Sequence, residues 1–343
     1  MSVGVVIVNK NAGAYIARTL ESLERQTVPP RRVVVVDNAS DDGSLDGLEA
    51  RFPQVELVRS EENLGFAAGN NLAVGMCDDC EFVALLNPDA FPEPAWLEQL
   101  LAAAAAHPDC AFFGSRLVLD ADRERLDGTG DQYHVSGLAW RRDQFQPVTL
   151  ERPQRESFSA CAAAALYRRD AFVAVGGFDE SFFCYYEDTD LAFRLRLAGH
   201  RGLYVPDAVA FHVGSATTGL VSAFTIYHSM RNQLWTYVKN MPGPLLWLYL
   251  PQHLLVTVLS VMAYSSHGLG RAALAGKLDG VRALPRVLAE RRRIQAGRVA
   301  SARQVRGAMA RGLDGYLLTF AARARSLRRG DRRRPRLGRT LKA

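Results

Sequence analysis

The chain has 343 residues, 48% hydrophobic and 23% charged. That suits one large α/β domain with an appendage, or two ordinary domains, and excludes an intrinsically disordered protein. The net charge of +6 divides sharply: residues 1–264 carry 21 Lys+Arg against 32 Asp+Glu, a net of −11, and residues 265–343 carry 21 against 4, a net of +17, so the acidic body would repel anionic partners that the tail would attract.

Met1-Ser2 runs straight into the apolar run Val3–Val8, with no basic leader and no small-residue cleavage site. The start therefore reads as a buried first strand and the catalytic part as cytosolic. Ile16, Leu20 and Leu23 at helical spacing predict a helix, which Pro29-Pro30 ends. Val33–Val36 and Val55–Val58 read as the second and third strands, Phe66–Met76 as a short helix, and Phe82–Leu86 as the fourth strand. Strand–helix alternation with short connections implies a parallel sheet with right-handed crossovers. Cys77 and Cys80 form a CxxC without a second CxxC or a His pair, so they read as two buried thiols near a helix end and not as a zinc site. With Cys110, Cys161 and Cys184 they make an odd, scattered set that fits a reducing compartment.

Residues 94–106 predict a strong helix, and 110–119 return to strand character. The stretch 120–157, rich in Asp, Arg, Gln and Gly, has weak periodicity and reads as a mobile loop or a hairpin near the active site. Ala160–Tyr167 is apolar, 188–198 reads as a helix closed by Gly199, and Val205–His212 as a late strand. Residues 244–264 form an apolar stretch of membrane-spanning length, but Pro251, Gln252 and His253 sit in its middle. An in-plane or re-entrant helix pair is expected there. Amphipathic helices with spaced arginines follow it, and a disordered basic tail ends the chain.

Polar residues collect where the strands end. These are Asn9-Lys10-Asn11, then Asp37 through Ser44, then Glu62 through Phe66, and finally Asn87-Pro88-Asp89. In open parallel sheets ligands bind beyond the carboxyl ends of the strands, so four such clusters at one edge argue for a site. The chain has neither GxGxxG after the first strand nor GxxxxGK[ST]. A nucleotide would then be held by carboxylates and a metal.

Val36-Asp37-Asn38-Ala39-Ser40, Glu62 through Asn70, Asn87-Pro88-Asp89, and Gly176 through Glu180 with Glu187-Asp188-Thr189-Asp190 resemble family 2 glycosyltransferases, closest to the rhamnosyltransferase-like branch. The resemblance spans about residues 2–240 and leaves out the basic tail. It implies an α/β GT-A fold with a mostly parallel central sheet flanked by helices, followed by a C-terminal helical extension. The expected division is a catalytic domain over 1–240, a membrane-associating helical extension over 241–330 and a disordered tail over 331–343.

The resemblance also implies roles. Asp37 would accept a hydrogen bond from the donor's pyrimidine, with Asn9 beside it on the donor side. Asn63, Gly65 and Phe66 would line the nucleotide pocket, Gly65 allowing close backbone approach. Asp89, the last carboxylate of a DxD motif, would ligate Mg²⁺ or Mn²⁺ with His212. Asn87 replaces the first carboxylate of that motif and would contact ribose or phosphate. Asp188 would be the base that takes the acceptor's proton, with Glu187 and Asp190 orienting it or binding acceptor. Arg231 would grip the diphosphate. Plain structural alternatives stand beside these roles: an Asx turn at Asp37, a glycine turn at 63–66, a packed strand-end His212, acidic residues favouring a helix start at 187–190, and a surface ion pair for Arg231. Arg231-Asn232-Gln233-Leu234-Trp235 does not match the QxxRW signature of processive synthases.

The expected activity is therefore inverting, non-processive transfer from a dTDP- or UDP-linked sugar, dTDP-rhamnose being the candidate, to a lipid-linked or cell-envelope glycan. The tail and apolar stretch would hold the enzyme on the anionic cytoplasmic face of the membrane, and no nucleic acid is expected as partner. The alternatives are a catalytically inactive nucleotide- or glycan-binding membrane adaptor and a nucleotidyltransferase. The latter would need a glycine- and lysine-rich loop after strand one, and Asn11-Ala12-Gly13 is too thin for that.

Overall fold

The computed structural model describes residues 1–214 and 222–312. Ser215, the end of the helical extension expected through residue 330, and the tail over 331–343 lie outside the described residues. In chain order the first half comprises β1 (Val3–Asn9), α1 (Tyr15–Glu24), β2 (Arg32–Asn38), α2 (Leu48–Arg51), β3 (Val55–Ser60), α3 (Gly65–Gly75), β4 (Phe82–Leu86), β5 (Ala90–Pro92), α4 (Trp96–Ala106) and β6 (Cys110–Leu119). Then come β7 (Leu126–Gly128), β8 (Asp131–Tyr133), β9 (Ala139–Arg141), β10 (Arg155–Glu156), β11 (Ala164–Arg168), α5 (Arg169–Ala174), α6 (Glu187–Leu197) and β12 (Arg201–His212). The helices α7 (Ala223–Asn240), α8 (Gly243–Ser265), α9 (Gly270–Arg282), α10 (Leu284–Ala296) and α11 (Ala302–Ala308) close the described chain.

The main sheet has the order β10-β12-β6-β11-β4-β1-β2-β3, with β5 beside β12 and β7 beside β6. β1 pairs in parallel with β2 and β4, and β2 with β3. β11 runs antiparallel to both β4 and β6, and β12 runs parallel to β6. The sheet is thus mixed rather than mostly parallel: β1 to β4 form a parallel unit, and antiparallel β11 joins it to the parallel pair β6 and β12. The valine-rich runs of β1 and β2 are buried on both faces, as a sheet covered on both sides requires. One apolar layer puts Ile16, Leu20, Trp96 and Leu100 under α1 and α4. The other puts Ala67, Val74, Phe172, Leu191 and Leu195 under α3, α5 and α6. Each such fully buried side chain contributes roughly 1.5–3 kcal/mol. The chain winds outward from β1 through β3, then returns to lay β4 on the other flank of β1, so the crevice opens at the carboxyl ends of β1, β2 and β4.

One expectation is narrowed here and another corrected. Of the two alternatives for 120–157 the hairpin holds: the stretch folds as β7 to β10, with β8 and β9 paired. Its Tyr133 stacks on Phe158, with ring centroids 5.0 Å apart, in a cluster shared with Phe193, Tyr237 and Val305. Residues 244–264 are not a helix pair, because α8 continues through Pro251. Its polar centre is accommodated by the protein: buried His253 donates from Nδ1 to the Ser136 carbonyl at 2.8 Å and stacks 4.1 Å from Tyr237. The opposite stripe, Trp247, Leu248, Leu254, Leu255, Val258, Leu259 and Met262, is exposed.

Candidate active site

At the ends of β1 and β2, Asn9 and Asp37 are neighbours in register. Asn9 Nδ2 donates to Asp37 Oδ1 at 3.1 Å, to Ser40 Oγ at 3.0 Å and to Ser44 Oγ at 3.2 Å. The other Asp37 oxygen accepts from the Ser40 backbone N–H at 3.1 Å. The carboxylate is thereby fixed at the crevice with lone pairs left over for a ligand donor. Asn63 Oδ1 accepts from the Gly65 N–H at 3.0 Å in the turn that leads into α3.

Gly65 is placed differently from expectation. Gly65 has φ +82°, and a Cβ there would lie 2.6 Å from the Phe183 ring and 2.8 Å from the Phe183 carbonyl. The close approach that needs glycine is thus to Phe183, whose carbonyl also accepts from the N–H groups of Phe66 at 2.7 Å and Ala67 at 3.1 Å. The partly buried Phe66 ring packs on Phe178 at the edge of the core, centroids 5.9 Å apart.

At the end of β4, buried Asp89 meets His212 from the end of β12. Asp89 Oδ1 lies 3.3 Å from His212 Nε2, and Asn87 Nδ2 approaches the same nitrogen at 3.4 Å. His212 Nδ1 faces Asp127 Oδ2 at 2.7 Å. Burial alone would lower the His212 pKa. Asp127 and Asp89 outweigh burial and raise it to about 9. Burial would likewise raise Asp127, but Arg141, His212 and Gln144 hold it well below the usual carboxylate range. With Nδ1–H committed to Asp127, the Nε2 lone pair and the Asp89 carboxylate face each other. Such a pair calls for a proton or a cation between them. Their 3.3 Å spacing is that of adjacent ligand atoms on one cation at roughly 2.1 Å each, and one oxygen with one imidazole suits Mn²⁺ or Mg²⁺. The residues therefore fit a divalent cation.

Among the described residues, a compact group of three potential ligands is found elsewhere, at Asp131, Cys161 and Asp188. Its soft sulfur ligand does not suit those hard cations.

Asp188 opens α6. Its Oδ1 accepts from the Thr189 N–H at 2.7 Å, and its Oδ2 lies 3.5 Å from the Ala162 N–H. Burial raises its pKa above the ordinary aspartate value, which suits a base acting near neutrality. The turn before it is strained: Phe183, Tyr185 and Tyr186 have φ of 64°, 66° and 69°. Asn232 on α7 holds this turn, its buried amide donating to the carbonyls of Phe182, Cys184 and Tyr185 at 3.0, 2.9 and 2.7 Å. Glu187 is buried beside Asp188 with Oε2 unpartnered.

The acceptor contact expected of Asp190 does not fit its placement. Asp190 is 0% exposed and bonded to Arg194 Nε at 2.8 Å, Lys239 Nζ at 2.9 Å and Asn240 Nδ2 at 2.7 Å. Arg231 is likewise engaged by the protein. Its guanidinium donates to the carbonyls of Ser181 at 3.1 Å and Phe182 at 2.9 Å and covers the Trp235 ring. Both residues fasten the turn and helix that carry Asp188.

Three residues here escaped sequence reasoning: Asp127, Asp131 and Arg141. They lie on three-residue strands, too short to show a period. The only signal was a concentration of charge in a stretch without pattern.

A profile described as Glycosyl transferase family 2 matches residues 4–176. The N-acetylglucosaminyl-diphospho-decaprenol L-rhamnosyltransferase of Mycobacterium tuberculosis is 32% identical over 237 residues, 63% of this chain and 77% of that protein. Two solved structures share the fold. GalNAc-T7 with UDP, GalNAc and Mn²⁺ aligns over 71% of this chain and 48% of its own, with TM-score 0.58 and 16% identity. The mannosyltransferase PcManGT from Pyrobaculum calidifontis, in complex with GDP-Man and Mn²⁺, aligns over 86% and 85%, with TM-score 0.52 and 19% identity.

Proposed function

The chain belongs to glycosyl transferase family 2 and is a glycosyltransferase of GT-A fold, and from that premise we propose inverting, non-processive transfer of one sugar, rhamnose, from a dTDP- or UDP-linked donor to a lipid-linked or cell-envelope glycan. The observation that supports the proposal is that Asp37 ends β2 and Asp89, paired with His212, follows β4, both strands adjacent to β1, at one sheet edge. Asp188 lies within reach of the Ala162 N–H just before β11, the strand beside β4. The printed name of the M. tuberculosis relative supports the sugar and the lipid-linked class of acceptor.

In this mechanism Asn9 and Ser40 hold Asp37 ready for the pyrimidine. Asp89 and His212 would hold the divalent cation, which when bound would neutralise the charge that gathers on the departing diphosphate. Asp188 takes the proton of the acceptor hydroxyl as its oxygen bonds to the anomeric carbon, and the C–O bond to the diphosphate breaks on the opposite face. One displacement with one base inverts the configuration.

The exposed stripe of α8 would lie in the membrane interface on the cytoplasmic side, with arginines of α9 to α11 toward anionic headgroups. Among these Arg282 is 75% exposed beside an ion pair with Asp279. His253 on the opposite side of α8 grips Ser136 in the β8–β9 turn. A docked α8 would thus hold the acceptor side of the crevice at the lipid surface.

The test is a panel of dTDP- and UDP-sugars with and without Mn²⁺, comparing wild type with Asp188→Ala and Asp89→Ala. Turnover with one donor should fall by about a hundredfold or more in each variant. Full turnover by Asp188→Ala would remove the assigned base.

A further inference from the structure

Asp131 on β8 faces the catalytic helix. Its backbone pairs with Ser159, N–H to carbonyl at 2.8 Å, and Ser159 Oγ in turn donates to the Asp188 carbonyl at 3.2 Å. An Asp131 oxygen, Cys161 Sγ and an Asp188 oxygen all lie within 4.8 Å of one another. Yet Asp131 is only 7% exposed, and its buried Oδ1 has no hydrogen-bond partner. A structural aspartate at that depth would be paired or bonded, as Asp190 is. This one is left open toward the base.

We propose that Asp131 is a second acceptor-site carboxyl, which keeps its proton while Asp188 is ionised and donates a hydrogen bond to the sugar acceptor beside its reacting hydroxyl. The inference rests on the assignment of Asp188 as base. Two carboxylates this close in a buried site do not both ionise. Asp188 accepts from Thr189 and lies within reach of the Ala162 N–H, so it carries the charge; the buried Oδ1 of Asp131 has no donor, and Asp131 retains the proton. Burial and then Asp188 push the Asp131 pKa well above its ordinary value, in keeping with that division. The titratable and charged groups facing it are Asp188 on α6, Cys161 before β11, Asp127 on β7, and Arg141 and Arg142 at the end of β9.

In the transfer step the acceptor O–H breaks and its proton goes to Asp188. The new C–O bond forms as the nucleoside diphosphate leaves with the electron pair of the old one. Asp131 is unchanged throughout and acts as a positioning residue.

The full chain can be tested with dTDP-rhamnose and N-acetylglucosaminyl-diphospho-decaprenol, using wild type, Asp131→Asn, Asp131→Ala and Asp188→Asn. Wild-type kcat/KM for acceptor should rise and then fall with pH, the fall marking loss of the Asp131 proton. Asp131→Asn, whose amide is a permanent donor, should lose the alkaline fall. Asp131→Ala should lower kcat/KM for acceptor roughly tenfold or more, with donor KM within about twofold. An unchanged alkaline limb in Asp131→Asn, with Asp188→Asn inactive, would overturn this inference alone. An active Asp188→Asn would overturn the assignment of the base beneath it.

A second readout needs no substrate. Carboxyl ¹³C NMR of aspartate-labelled protein should show a group titrating far above the ordinary value of about 4 that Asp131→Asn removes. Ordinary titration of every aspartate would overturn the proposal, and melting temperatures report whether the variants fold.

Discussion

Asp127 and His212, 85 positions apart in sequence, share a 2.7 Å hydrogen bond that turns the other nitrogen of the imidazole toward Asp89. A carboxylate behind a ligating histidine fixes its tautomer and strengthens it as a ligand. Arg141, Gln144 and His212 together keep Asp127 ionised. Asp127→Ala should therefore weaken Mn²⁺ binding by roughly ten- to a hundredfold. Electron paramagnetic resonance of free Mn²⁺ in a titration measures this without any turnover. Unchanged affinity would mean that the pair serves packing alone.

Asp190 and Lys239 meet at 2.9 Å with 0% and 1% of their side chains exposed. Lys239 keeps Asp179 at 2.5 Å when Asp190 is removed, but the buried Arg194 guanidinium, paired with Asp190 at 2.8 Å, is stranded in the interior at a cost of about 3–5 kcal/mol. Asp190→Ala should thus lower the denaturation midpoint strongly while leaving the acceptor KM of the folded fraction near wild type. A large KM change with little loss of stability would restore Asp190 to the acceptor site.

Glu187 sets a pH dependence of stability. Burial, and then the neighbouring Asp188 and Asp190, raise its folded-state pKa well above the ordinary glutamate value. The folded chain therefore keeps a proton that the unfolded chain releases above about pH 4.3. Where the folded state binds more protons, stability falls as pH rises, from the unfolded pKa up to the folded one. Glu187→Gln carries no such proton, so its melting temperature should gain on wild type as pH increases across that window. Parallel curves would show Glu187 to be ionised in the fold.

The exposed stripe of α8 makes a prediction about location. Leu255 and Leu259 are 58% and 54% exposed, so replacing both with glutamate removes little packing from the protein. Binding to phosphatidylglycerol vesicles should nevertheless fall by about tenfold or more, since each leucine loses its lipid burial of roughly 1.5–3 kcal/mol. Co-sedimentation with these vesicles, alongside a melting curve, checks both halves of the statement.

Much of the catalytic edge could be read from residues alone. Valine runs buried on both faces announce parallel strands, and the polar residues that follow them, Asn9, Asp37 and Asn87 with Asp89, had to fall at one sheet edge because every parallel strand ends there. Asp188 was legible through the resemblance of Glu187-Asp188-Thr189-Asp190 to family 2 glycosyltransferases. Asp131 and Arg141 were not, since strands of three residues carry no period and are ordered only by what covers them.

Composition and periodicity by themselves determined the layered α/β body, the basic tail and the apolar stretch before it, all properties of neighbours in sequence. Only tertiary structure decided which polar side chains are free to act. It tied Asp190 and Arg231 into the scaffold, turned Gly65 toward Phe183, and brought Asp127 to His212 and Asp131 to Asp188. The reason is burial: whether a charge is spent inside the protein or left for a ligand depends on partners that the fold delivers from distant parts of the chain.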